Sequence, residues 1–79
     1  MGVSMELTVK QLDTAKQWYV AETEQNYALS DTLSNVLALD GWEIGLDESG
    51  EADAACFCVK TGDMNGKTYI ALGKRMLNV

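Results

Sequence analysis

The run 29-LSDTLSNVLALDGW-42 changes from one structural period to another inside a single short stretch. Leu33, Val36 and Leu37 are three and four residues apart, which places them on one face of an α-helix. Ser30 is positioned to accept a hydrogen bond from an orphan backbone N–H at a helix start, and Asp31 sets negative charge at the positive end of the helix dipole. Gly41 can turn left-handed without a Cβ penalty and so stops the helix, with Trp42 placed to cover Leu37. From Trp42 the period is two: Trp42, Ile44 and Leu46 point one way and Glu43, Gly45 and Asp47 the other, which predicts a half-buried strand. The stretch supplies core and carries no chemistry.

Toward the N-terminus, Thr8 and Gln11 have capping-box spacing, and Leu7 and Leu12 hold the two positions of a hydrophobic staple, so a helix begins here. The spacing then runs unbroken through Ala15, Tyr19, Glu22, Asn26, Leu29, Leu33 and Val36. A single helix from Val9 to Asp40 would contain about 32 residues, span roughly 50 Å and imply a dimer. Two helices meeting near Asn26 to Ser30 are expected instead, because Glu22 and Asn26 put polar groups where a continuous seam needs apolar ones.

Toward the C-terminus, Asp47 to Glu51 (DESGE) reads as a loop and Ala54 to Thr61 as a second strand. Ala55, Phe57 and Val59 are expected to face the helices, with Cys56, Cys58 and Lys60 opposite. Asn65-Gly66 predicts a hairpin turn with two consecutive residues at positive φ, leading into a third strand over Thr68 to Leu72. Residues 74–79 suit either an extension of that strand or a terminal helical turn. The expected fold class is α+β: two N-terminal helices packed on one face of a three-stranded antiparallel β-meander, one small domain over residues 1–79.

With 79 residues, the chain can bury roughly 60 to 65% of its unfolded surface, which leaves a narrow stability margin that self-association would widen. No apolar run approaches the roughly 18 residues that cross a bilayer, and the opening MGVSMEL has neither a basic region nor a long apolar stretch, so no membrane or export signal is expected. Two cysteines without such a signal fit a reducing compartment, with the cytoplasm as the default.

The charge is distributed unevenly. From Gln17 to Val59 there is no Lys or Arg, while Glu22, Glu24, Asp31, Asp40, Glu43, Asp47, Glu48, Glu51 and Asp53 give that segment −9 of a net charge of −6. Residues 60–79 return +3 through Lys60, Lys67, Lys74 and Arg75 against Asp63. A chain of this sign is repelled by phosphates, so direct nucleic-acid binding is not expected.

Chemistry has few candidates. Cys56 and Cys58 would project from one strand face, but a tetrahedral zinc site needs four ligands and the chain has no histidine, so they read as packing residues. The acidic run from Asp47 to Asp53 has its glycine fourth and lacks a twelfth-position glutamate, which does not match a calcium loop. No catalytic, cofactor or metal residues are assigned, and no enzyme activity is expected. Trp18, beside Tyr19, is expected to flank the core at its rim, so Trp18 and Tyr27 are candidate interface anchors.

The leading functional expectation is a non-catalytic interaction protein that docks an acidic face, Asp40, Glu43, Asp47, Glu48, Glu51 and Asp53, on a basic protein surface. Those carboxylates are expected to share one edge. In size and acidity the chain is similar to small inhibitors encoded by phages and mobile elements, including anti-CRISPR and anti-restriction DNA-mimic proteins, a likeness of composition and not of motif. The alternative is a homodimer or larger homo-oligomer paired through its helices, with the acidic surface serving solubility.

Overall fold

The computed structural model describes residues 7–51 and 53–79, so the expectations for residues 1–6 lie outside it. Helix α1 spans Val9–Thr23 and starts as its sequence requires. The Thr8 hydroxyl accepts from the Gln11 N–H at 3.1 Å, and the Gln11 side chain accepts from the Thr8 N–H at 2.9 Å. The helix ends without a glycine: Gln25 takes φ +60°, its N–H donates to the Glu22 carbonyl, and the Asn26 N–H reaches back to Ala21 at 2.8 Å. This is a Schellman stop with glutamine in the left-handed position.

Helix α2, Tyr27–Leu39, follows at once, so there are two helices, as expected. The cap differs from the expected one. Asn26 accepts from the Leu29 N–H, while Ser30 lies buried in the first turn and donates to the Tyr27 carbonyl. Asparagine outcompetes serine here because the tight stop of α1 already places it at the mouth of the next helix. Gln11 Nε2 donates to Asp40 Oδ2 at 3.3 Å, which ties the start of α1 to the end of α2 in an antiparallel pair. Gly41, at φ +84°, turns the chain into the sheet.

Strands β1 (Trp42–Leu46), β2 (Ala54–Lys60) and β3 (Ile70–Gly73) form an antiparallel sheet in the order β1-β2-β3, and the helices α1 and α2 cover one face. The register pairs Trp42 with Lys60, Ile44 with Cys58 and Leu46 with Cys56. Opposed residues share a face, so Cys56 and Cys58 point at the helices and Phe57 and Val59 point away, the reverse of the expected facing. A bulge between Ala54 and Cys56 also turns Ala55 inward.

The reversal has a steric cause. Trp18, Leu37 and Trp42 fill the space beneath the helices, and small thiols fit against them where a phenyl ring would not. On the far side, the Phe57 ring lies over Gly45, so close that a Cβ there would fall 2.8 Å from Phe57 Cζ, and Tyr69 stacks on it at 5.0 Å between ring centroids.

The β2–β3 connection also departs from expectation. Asn65 does not have positive φ, so Asn65-Gly66 does not form a two-residue hairpin turn, and the third strand starts at Ile70 instead of Thr68. Asp63 organises this loop by accepting from the N–H groups of Asn65 and Thr68 and from the Thr68 hydroxyl. Thr68 Oγ1 accepts in turn from the Lys60 N–H, fastening the loop to the end of β2. The C-terminus resolves into a short helix α3, Lys74–Leu77, whose Leu77 is buried in the core. No helix among the described residues is long and apolar enough to cross a membrane.

Candidate interaction surface

The six carboxylates expected on one edge are divided between the two ends of β1. Asp40 closes α2 and Glu43 lies next to Trp42 on the outward face, whereas Asp47, Glu48, Glu51 and Asp53 follow the strand. Glu43 and Asp47 are four residues apart along an extended strand, which is about 13 Å. Asp40 is therefore separated from the main acidic group, and Glu22, counted in the acidic segment but not placed on the expected docking edge, lines a hollow with Asp47 and Glu48.

Around the C-terminal end of β1, the acidic residues border two shallow hollows. One, of about 300 Å³, is lined by Tyr19, Glu22, Leu46, Asp47, Glu48 and Lys74 among others. The other, of about 280 Å³, has Asp47, Glu51 and Asp53 at its rim and Leu72 and Met76 in its wall. Asp47 belongs to both. The carboxylates' hydrogen bonds come from neutral donors: Asp47 accepts from the Ser49 N–H and the Tyr69 hydroxyl, and Asp53 accepts from the Arg75 backbone N–H. Hydrogen bonds of this kind fix the side chains without cancelling their charge.

Asp53 also has a structural role. Its carbonyl accepts from the Lys74 N–H at 2.7 Å and its carboxylate takes the next N–H, capping α3. A Cβ on Gly73 would collide with that carboxylate, which explains the glycine at the end of β3.

No family model, curated protein or solved structure matches the chain.

The aromatic candidates part company. Trp18 is buried, 6% exposed, and belongs to the core instead of its rim, because α1 turns this face toward Leu37 and Trp42. Tyr27 stays 59% exposed at the first turn of α2. Both border a third hollow of about 640 Å³, together with Glu22, Ser30, Asp31 and Ile44. Sequence periodicity does not reveal this hollow, because it arises where two helices and a strand diverge.

The two thiols are free and buried. Burial, then the neighbouring Cys58 and Asp47 charges, pushes Cys56 up to about 12, and burial pushes Cys58 up to about 11. Both remain protonated in the physiological range, which suits packing against Trp18, Leu37 and Trp42. Among the described residues, no group of three or more His, Cys, Asp or Glu side chains is placed to hold a metal ion.

Proposed function

We propose that this protein is a non-catalytic interaction module that docks its acidic end on a basic protein surface, of the kind that otherwise holds a nucleic-acid backbone. The observation that carries this reading is the convergence of Glu22, Asp47, Glu48, Glu51 and Asp53 around the end of β1, with hydrogen-bond partners that are neutral. Exposed charge in this arrangement steers encounter and selects the sign of the partner, and its effect weakens as salt rises.

The test compares the parent with a variant carrying Asp47→Asn, Glu48→Gln, Glu51→Gln and Asp53→Asn as baits in a lysate of the source cells. Asparagine keeps one acceptor oxygen at each position, enough for the Ser49 and Arg75 N–H groups, and its amide N–H can donate to the Tyr69 hydroxyl, so the fold is expected to persist. The parent should retain a basic protein at low salt and the variant should bind it at least tenfold more weakly, about 1.4 kcal/mol. Equal retention by both baits would reduce the acidic end to solvation.

A second reading, self-association through α2, has its own support: Leu29 and Val36 lie on one side of the helix and are 44% and 40% exposed. Light scattering over a range of concentrations and salt separates the two readings.

A further inference from the structure

β1 is an edge strand, with β2 on one side only. The Asp47 N–H donates to the Ala55 carbonyl and the Thr61 N–H to the Gly41 carbonyl, which fixes the ladder: Gly41, Glu43, Gly45 and Asp47 direct their backbone groups at β2. Trp42, Ile44 and Leu46 therefore direct theirs at the open side. Among the described residues, no hydrogen bond from another element reaches the backbone of any of the three. The edge has neither a proline nor a lysine to block pairing, the usual protections of an exposed strand.

Of these three residues, Ile44 and Leu46 also border hollows. Ile44 floors the 640 Å³ hollow, whose rim holds Glu22 and Asp31. Leu46 lies in the 300 Å³ hollow, whose lining sets three carboxylates, Glu22, Asp47 and Glu48, against one cation, Lys74. Ile44 and Leu46 are two residues apart, roughly 6.6 Å along a strand, which is the repeat at which a paired strand presents successive side chains to the same face.

We propose that β1 accepts an extended basic segment of a partner protein as a fourth, antiparallel strand, with two Lys or Arg side chains two residues apart entering the hollows beside Ile44 and Leu46. This rests on the acidic docking reading and specifies its geometry. Each hollow joins an apolar side chain of β1 to an excess of carboxylates, two in the first and three against Lys74 in the second, which suits a long aliphatic stem ending in a cation. Strand addition supplies affinity through the backbone, and the alternate side chains supply selectivity. A second copy of this chain fits less well, because pairing β1 with its own copy would bring two sets of Glu22, Asp31, Asp47 and Glu48 together.

The probe is a short capped peptide in which lysine alternates with valine, measured against the full chain at low salt by calorimetry and by amide exchange. In the added strand, residues opposite Ile44 and Leu46 point both their side chain at the helices and their N–H at β1. Methylating the lysine backbone nitrogens should therefore weaken binding at least about tenfold, while methylating the valine nitrogens leaves it within about twofold. The Ile44 and Leu46 amides should become protected on binding, and Glu22→Gln with Asp31→Asn should weaken it about threefold to tenfold.

If both methylated peptides bind alike while salt and the charge variant still weaken binding, strand addition is overturned and the acidic reading survives. Binding insensitive to salt and to the charge variant would overturn both, as would no saturable binding. Protection of the same amides in the free protein as its mass doubles with concentration assigns the edge to a second copy and overturns the proposal.

Discussion

Cys56 and Cys58 are wholly buried beneath the helices, while Phe57, between them on β2, points to the open side of the sheet and shares it with a half-exposed Tyr69. Hydrophobicity alone would place the phenyl ring inside and the thiols out. Two tryptophans decide otherwise. Trp18 and Trp42 come from the helix layer and the first strand and occupy the volume over β2, so the residues that fit opposite them are small. The outward ring then needs its own accommodation, and Gly45 provides it by leaving room where any side chain would clash. In a two-layer domain of this size, the large side chains of one layer determine which face of the next is the core.

The contrast predicts how the faces respond to damage. Leu37 is fully buried on the helix side, and Leu37→Ala should lower stability by about 3 kcal/mol, read by urea denaturation. Leu33, only partly buried, should lose about half as much on the same change. Cys56→Ser places an extra hydroxyl in a closed apolar site and should cost about 2 kcal/mol, whereas replacing both cysteines by alanine should leave partner binding intact. Phe57→Ala, on the open face, should cost about 1 kcal/mol, mainly lost stacking on Tyr69 and uncovered backbone at Gly45. A greater loss at Phe57 than at Leu37 would invert the assignment of inside and outside.

The smallest effect lies off both faces. The Thr68 hydroxyl and backbone N–H, with lesser help from Asn65 and Gly66, hold the Asp63 carboxyl below its ordinary value. A carboxyl with a depressed folded pKa stabilises the fold fully above its unfolded value of about 3.9 and loses that contribution as pH falls through the folded value. Asp63→Asn should therefore melt slightly below the parent at neutral pH, and the two melting temperatures should converge as the solution is acidified below that window.

Much of the fold was legible in the sequence because the signals were local. Thr8 with Gln11 and Gly41 with Trp42 act within a turn of chain, and each stands where its spacing requires. The end of α1 carried no such mark, since Gln25 takes a conformation that glycine normally signals. Gln25→Gly should relieve that strain and stabilise the protein by about 0.5 kcal/mol, measurable as a small rise in melting temperature. Alternation on β2 set the period but not its direction, which depends on Trp18 and Trp42, distant in sequence. Asn65-Gly66 suggested a tight hairpin, but the bonds converging on Asp63 organise a longer loop instead. The acidic end was visible as a run from Asp47 to Asp53, whereas Glu22 and the hollows beside Ile44 and Leu46 come from separate parts of the chain and exist only after folding.

Because both thiols lie on the central strand, shielded and protonated, the protein carries its own chemical clock. A thiol reagent reaches them only when the sheet separates from the helices, so under conditions where closing outruns labelling, the modification rate reports the equilibrium between closed and open forms. Fraying of α3 or of the loops leaves such a readout largely unchanged. A ligand that engages the closed form should slow the clock in proportion to its occupancy, giving a binding assay that needs neither an attached dye nor a known activity.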